Sequence, residues 1–67
     1  MIKNKLSAFM GEKRINISEV ARITGLSYTT VYKLYNDNTS GVDFYTLDRL
    51  CWALECRIPD LFEYIET

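Results

Sequence analysis

The sequence predicts an all-α fold, a bundle of five short helices. Apolar residues recur three and four positions apart along much of the chain, and helix-capping residues stand before several of these runs. A chain of 67 residues has room for one small core, so we interpret residues 1–67 as a single domain without a deep substrate pocket. Residues 1–4 and 64–67 could also pair as a small two-stranded ribbon.

The first two helices are marked by apolar spacing and by a capping signal. The first helix begins near Leu6, and we expect it to end at Gly11 or at the basic pair 13–14. Asn16, followed three positions later by a glutamate, has the spacing of a capping box and predicts the start of the second helix. Gly25 suits a left-handed residue that ends this helix.

Three later helices begin at comparable signals. Ser27 and Asp43 are capping residues, and each is flanked by apolar residues at the positions of a hydrophobic staple. Residues 36–41 are a dense cluster of turn formers, so they are expected to form the loop between the third and fourth helices. Pro59 suits the first position of a last short helix.

The two cysteines and the absence of histidine exclude several classes of site. Cys51 and Cys56 are five positions apart in a region that reads as helical, which separates two thiols by about 140° around a helix. We expect both to be reduced, without a zinc site or any other cofactor. No secretory signal or membrane span is recognisable, which predicts a soluble, cytoplasmic protein. The residue pairs and glycine-rich loops of common enzymes are also missing, so we do not expect an enzyme.

The charge is unevenly distributed along the chain, although the net charge is only -1. Residues 1–33 carry six cations and two carboxylates, a net of +4, whereas residues 34–67 carry two cations and seven carboxylates, a net of -5. A basic half favours an anionic partner such as nucleic acid. The alternative is an ordinary solvated surface whose asymmetry arises by chance.

The third helix has two different faces when it is projected at about 100° per residue. The inward set is Ser27, Val31, Leu34 and Tyr35, and the outward set is Thr29, Tyr32, Lys33 and Asn36. Tyr28 lies between the two faces at the first turn. The outward groups are hydrogen-bond donors and acceptors with methyls and rings beside them, which suit base edges and thymine methyls in a major groove.

The short connection through Gly25, Leu26 and Ser27 predicts two helices that cross steeply. In that arrangement the third helix can enter a DNA groove while the second lies across the backbone with its first amides near a phosphate. This is the helix-turn-helix. The alternative is a helical hairpin inside an unrelated small bundle, because glycine at a helix end is common.

The residues ISEVARITGLSYTTVYKLYN (17–36) and FYTLDRLCWALECRIPDLFEYI (44–65) resemble the Cro and phage-repressor type (Xre-like) helix-turn-helix transcriptional regulators, in particular small single-domain bacterial members. The resemblance covers about residues 5–65. It implies a five-helix bundle of the repressor-like DNA-binding type, with the helix-turn-helix at helices two and three. It also implies double-stranded DNA as partner and a role in transcription regulation, which we expect to be repression.

The resemblance implies two sets of DNA-contacting residues. Bases would be read by Tyr28, Thr29, Tyr32 and Lys33. Phosphates would be met by Asn16, Ile17, Ser18, Asn36, Asn38, Thr39 and Ser40, with Ile17 offering only its backbone amide. The loop at 36–41 departs from many relatives because it carries no Lys or Arg. Affinity is therefore expected to depend on few contacts and on dimer formation.

Trp52 stands outside the apolar stripe predicted for the fourth helix, whose members are Leu47, Leu50, Cys51 and Leu54. It lies on the flank with Tyr45 and Arg49, and these three residues are a candidate homodimer interface, as the C-terminal part is in many relatives. The alternative is that Trp52 covers an edge of the core or the chain termini. A second functional hypothesis is a protein-interaction module, such as an antitoxin or anti-repressor, that uses the same fold to bind a protein partner.

Overall fold

The computed structural model describes residues 1–66, which form five helices and one two-stranded sheet. The helices are α1 (Leu6–Lys13), α2 (Ile17–Thr24), α3 (Tyr28–Tyr35), α4 (Phe44–Leu54) and α5 (Ile58–Leu61), and the strands are β1 (Ile2–Asn4) and β2 (Phe62–Tyr64). The predicted five helices are therefore present. The fold is mostly helical, and the sheet is the part that a purely all-α description leaves out.

The sheet joins the two ends of the chain. β1 and β2 are antiparallel, with Ile2 opposite Tyr64 and Asn4 opposite Phe62. The predicted ribbon had the first strand in the right place, but the second strand begins earlier, at Phe62, because the chain becomes extended directly after α5. Residue 67 of that prediction lies outside the described residues.

Asn4 connects this sheet to the end of α3. Its side-chain amide nitrogen donates a hydrogen bond to the backbone oxygen of Leu34 at 2.7 Å and a longer one to the carboxylate of Asp37 at 3.5 Å. Its side-chain oxygen accepts a hydrogen bond from the Leu6 amide at 2.9 Å. One side chain therefore holds β1, the start of α1 and the last turn of α3 together.

The predicted helix starts at Asn16, Ser27 and Asp43 are confirmed. In each case the side-chain oxygen accepts a hydrogen bond from the backbone amide three residues on, at 2.8 Å for Asn16, 3.1 Å for Ser27 and 2.8 Å for Asp43. Hydrogen bonding from the side chain and backbone of Thr46 lowers the pKa of the Asp43 carboxyl. These caps satisfy amides that have no acceptor within their own helix.

The end of α1 agrees with one of the two predicted positions, and the start of α5 lies one residue before the predicted position. The first helix runs through Gly11 to Lys13 and ends where Arg14 takes a left-handed conformation with φ 58°. The last helix begins at Ile58, one residue before Pro59, because the backbone amide of Arg57 is capped by the Asp60 carboxylate at 2.9 Å. Pro59 is tolerated there because an amide in the first turn needs no helical partner.

Every helix contributes to one small core. Its buried apolar side chains are Leu6, Met10, Val20, Val31, Leu34, Leu50, Leu54 and Leu61. In α4 the predicted stripe is only half buried, since Leu47 and Cys51 remain partly accessible while Thr46 is buried instead. The core therefore depends on a few aliphatic residues, as expected for a domain of this size.

The two thiols are closer than the helical projection suggested. The helix ends at Leu54, Glu55 adopts a left-handed conformation with φ 52°, and the amide of Cys56 turns back to donate to the oxygen of Cys51 at 3.1 Å. Both cysteines are free. Burial, together with the neighbouring Cys51, raises the pKa of the Cys56 thiol from 9.0 to about 11.

Candidate nucleic-acid interface

The turn between α2 and α3 is held by a buried threonine and by an arginine from α4. Gly25 has φ 77°, so the predicted left-handed end of α2 is confirmed. The Thr24 hydroxyl is fully buried, donates to the oxygen of Val20 at 2.6 Å and accepts from the amide of Leu26 at 3.2 Å. Arg49 donates to the backbone oxygen of Thr24 at 2.7 Å. These bonds fix the direction in which α3 leaves the turn.

The inward face of α3 is narrower than predicted. Val31 and Leu34 are buried, but Ser27 is exposed and Tyr35 is 39% exposed. The inward assignment of these two residues was therefore wrong. A helical projection gives the direction of a side chain but not how far the core extends beneath the helix. Tyr35 lies beside the start of α2 and is not covered by it.

Three tyrosines follow one flank of α3. Tyr28 and Tyr32 are 52% and 49% exposed, and their rings stack with centroids 6.1 Å apart and planes inclined by 26°. Tyr35 continues the same flank one turn later. The spacing i, i+4, i+7 is visible in the sequence and could have revealed this stripe. The projection instead placed Tyr28 between the faces, Tyr32 outward and Tyr35 inward.

The start of α2 lies next to this tyrosine stripe. Asn16, Ile17 and Ser18 line a shallow cavity of about 350 Å³ together with Tyr28 and Tyr35. The side-chain oxygen of Asn16 is already occupied by its helix cap, so its amide nitrogen and the exposed hydroxyl of Ser18 remain for other partners. The first backbone amides of α2 have no acceptor within the helix and point to the same region.

The loop after α3 lies on the opposite flank. Lys33 and Thr39 line a groove of about 230 Å³ between α3 and α4. The Thr39 hydroxyl donates to the oxygen of Gly41 at 2.8 Å, and the Asn36 side chain donates back to the oxygen of Tyr32 at 2.9 Å. Both groups therefore have internal partners, and the charged residues that line this groove are Lys33 and Asp43.

Ser40 lies beside this groove but does not line it. It lines a neighbouring cavity, which it shares with Thr39 and with Ile2 and Phe62 of the sheet. Asn38 is exposed, and its backbone amide donates to the oxygen of Lys33 at 2.8 Å. Of the predicted phosphate-contacting residues, the three at the start of α2 thus form one group, and Thr39 and Ser40 of the loop form another.

Several cations of the basic half have partners in the folded chain. Lys5 and Glu63, from the two halves, lie 4.0 Å apart. Arg22 pairs with Glu19 at 2.6 Å, and this hydrogen bond raises the pKa of Arg22. Lys13 lies 5.5 Å from the centre of the Phe9 ring. Several cations of the basic half are therefore engaged elsewhere, and α3 itself presents Lys33.

Trp52 lies on the outer surface of α4. It is 67% exposed, and the guanidinium of Arg49 lies 4.7 Å from its ring centre. Most of the Trp52 side chain is therefore exposed, although the residue lines a shallow cavity with Ile23 at the edge of the core. Tyr45 and Phe44 are also exposed on this helix, and Phe44 was not among the residues predicted for this surface. We call Phe44, Tyr45, Arg49 and Trp52 the aromatic surface of α4.

No helix within residues 1–66 has the length and apolar character needed to cross a bilayer. No three acidic, cysteine or histidine side chains of this part of the chain are grouped so that they could hold a metal ion.

Comparisons with known proteins agree with the geometry of α2 and α3. The profile of the Cro/C1-type HTH DNA-binding domain matches residues 5–67. The chain is also similar to the uncharacterized HTH-type transcriptional regulator YozG of Bacillus subtilis (strain 168), with 24% identity over 59 residues, which cover 88% of this chain and 70% of that protein. The chain therefore belongs to the Cro/C1-type helix-turn-helix DNA-binding family of Xre-like transcriptional regulators.

Proposed function

We propose that this domain binds double-stranded DNA sequence-specifically through α2 and α3 and acts as a transcriptional repressor in the cytoplasm. The observation that carries the proposal is the exposed face of α3, which projects from a turn fixed by Thr24, Gly25 and Arg49. A helix presented in this way can enter the major groove while the helix before it meets the backbone.

The side chains of this face have distinct roles in the proposal. Thr29 and Lys33 lie outermost, and the Lys33 ammonium suits the O6 and N7 acceptors of guanine. Tyr28 and Tyr32 contact neighbouring bases from the flank. The start of α2, with Ile17 and Ser18, offers backbone amides and a hydroxyl to one phosphate. Asn16, Asn36, Asn38, Thr39 and Ser40 complete the phosphate contacts, with the loop contributing less than the start of α2.

Selection of bound sequences from a random duplex pool, followed by affinity measurements at fixed salt, tests the proposal. We expect Lys33→Ala to weaken binding to the selected site by about 1–3 kcal/mol and to relax the preference at one position. Lys3→Ala is the matched control, because Lys3 is an exposed lysine of β1 that belongs to neither set of predicted DNA-contacting residues. Equal weakening on all duplexes would make Lys33 a phosphate contact, and the absence of binding to any duplex would contradict the function.

Repression is tested by transcription in vitro from a template that carries the selected site within a promoter. We expect transcription to fall as the protein occupies the site, because a bound domain of this size covers the groove that polymerase needs. An increase in transcription with occupancy would identify an activator instead.

We propose further that the aromatic surface of α4 forms a two-fold homodimer interface. Aromatic residues and arginine are enriched at interface cores, and a two-fold dimer would present two copies of α3 to half-sites about 34 Å apart. Sedimentation of the wild type and of Trp52→Glu tests this. Tyr64→Glu is the control, because Tyr64 and Trp52 are both aromatic and both 67% exposed. A wild type that stays monomeric with and without DNA would rule out the dimer.

The same aromatic surface also favours the second functional candidate, a protein-interaction module, because exposed apolar clusters mark protein contacts. The two candidates differ in what Trp52→Glu does to DNA binding. We expect a dimeric repressor to lose affinity for the palindromic site while it keeps weak binding to a half-site. A protein-interaction module would bind neither duplex, whatever residue is at position 52.

A further inference from the structure

The paired rings of Tyr28 and Tyr32 are an unusual feature for the outer side of a small helical domain. About half of each residue is exposed. The small core contains few large side chains, and two aromatic rings would ordinarily be buried in it. Neither hydroxyl has a hydrogen-bond partner among the described residues. The pair is therefore packed within itself and open to solvent on its outer side.

An aromatic ring cannot read the donor and acceptor pattern of a base pair, because its face has no directional donor or acceptor. The one apolar group that the major groove presents is the C5 methyl of thymine. A stacked ring pair is well suited to such a group, since the two side chains restrict each other before binding and lose little further freedom.

We propose that Tyr28 and Tyr32 are specificity-determining residues that select thymine by contact of their rings with its C5 methyl group. This inference rests on the proposed function, in which α3 enters the major groove. The rest of the α3 surface fits a ligand of this kind, because Lys33 is its single cation and the other outward groups are a hydroxyl and an amide. The preferred duplex therefore contains thymine beside the position read by Lys33.

Replacement of thymine by deoxyuridine tests the inference, since it removes the methyl and leaves the base pair unchanged. Each thymine of the selected site is replaced in turn, and affinity is measured by fluorescence anisotropy. We expect the affinity to fall about fourfold at one or two positions, because the burial of one methyl-sized group changes the binding free energy by about this much. A 5-methylcytosine–guanine pair at the same position, which restores the methyl, should bind more tightly than a cytosine–guanine pair.

Protein variants assign the effect to the rings. Tyr28→Ala and Tyr32→Ala should each bind more weakly, and the deoxyuridine effect should shrink or disappear in them. Tyr28→Phe and Tyr32→Phe keep the rings and should keep the effect. Tyr64→Ala is the matched control, because Tyr64 is an exposed tyrosine on β2 and should leave both affinity and the deoxyuridine effect unchanged. Circular dichroism verifies that each variant is folded.

The failures of the two proposals are distinguishable. If the protein binds a selected duplex but no thymine position responds to deoxyuridine, or if the selected site contains no thymine, the methyl contact is wrong and the proposed function stands. If the effect persists in both alanine variants, another group reads the methyl and the assignment to these tyrosines is wrong. If no duplex is bound, the proposed function itself fails.

Discussion

Replacing Gly25 by alanine isolates the backbone strain of the helix-turn-helix turn. Gly25 has φ 77°, and an added Cβ would meet only the Nη2 atom of Arg49, at an ordinary contact distance of 3.9 Å. The cost therefore comes from the left-handed conformation and not from a clash. Left-handed backbone costs an L-residue about 1–2 kcal/mol, and the reduced freedom of the unfolded alanine chain offsets part of this. We expect Gly25→Ala to destabilise the fold by about 1 kcal/mol.

Gly11→Ala provides a comparison with the opposite sign. Gly11 lies inside α1, and a Cβ added there would meet no atom within 4 Å. Alanine is better than glycine in a helix by about 0.8–1 kcal/mol, so this variant should be more stable than the wild type. Gly41→Ala is the control for the effect of the unfolded chain alone, because its backbone does not have a positive φ and the added Cβ also meets nothing; it should raise stability by about 0.4–1 kcal/mol.

Thermal unfolding followed by circular dichroism measures both effects. For a domain of this size, about 1 kcal/mol corresponds to a change in Tm of about 4–8 °C. Gly25→Ala should therefore melt lower than the wild type, whereas Gly11→Ala and Gly41→Ala should melt higher. A Gly25→Ala variant that melts at or above the wild type would refute the argument that this turn requires a left-handed residue.

Three further predictions follow from single side chains. Asn4→Ala should lower the free energy of unfolding by about 1–3 kcal/mol, because it removes the 2.7 Å hydrogen bond to the oxygen of Leu34 and the side-chain acceptor of the Leu6 amide; an unchanged urea midpoint would contradict this. In the native protein, iodoacetamide labelling of Cys56 should have its pH midpoint near 11 rather than the ordinary 9.0, since burial favours the neutral thiol. The raised pKa also means that the folded state loses stability as the pH rises from 9.0 to about 11. Asp43→Asn keeps the helix cap but cannot titrate. Because the folded state lowers the pKa of Asp43, the wild type should lose stability relative to this variant as the pH falls below 3.8 and the carboxylate becomes protonated. Parallel pH profiles of the two proteins would contradict the assignment.

The local parts of the structure could be predicted from the sequence because their signals lie within a few residues. Asn16, Ser27 and Asp43 each cap a helix through an amide three positions away, so the capping residue and its partner are read together. The left-handed Gly25 was predictable for the same reason. Its amide bonds to the oxygen of Ala21, only four residues earlier.

The parts that were missed depend on contacts between distant residues. Arg49 reaches Thr24 across a separation of 25 residues, which local spacing does not reveal. The ribbon between the two ends of the chain was predicted, but its second strand was placed too late in the chain, because its start depends on where α5 ends. Tyr35 was placed inward because a projection treats the core as continuous along the helix. Its ring instead lies where α3 extends past the core, beside the start of α2.

An NMR titration of the folded domain with the selected duplex is the most direct test of the claim that α2 and α3 form the DNA-binding surface. We expect the largest amide shifts at Ile17 and Ser18 and along residues 28–33, and small shifts in α1 and in the sheet. Shifts that are largest along the aromatic surface of α4, with α3 unaffected, would contradict the account.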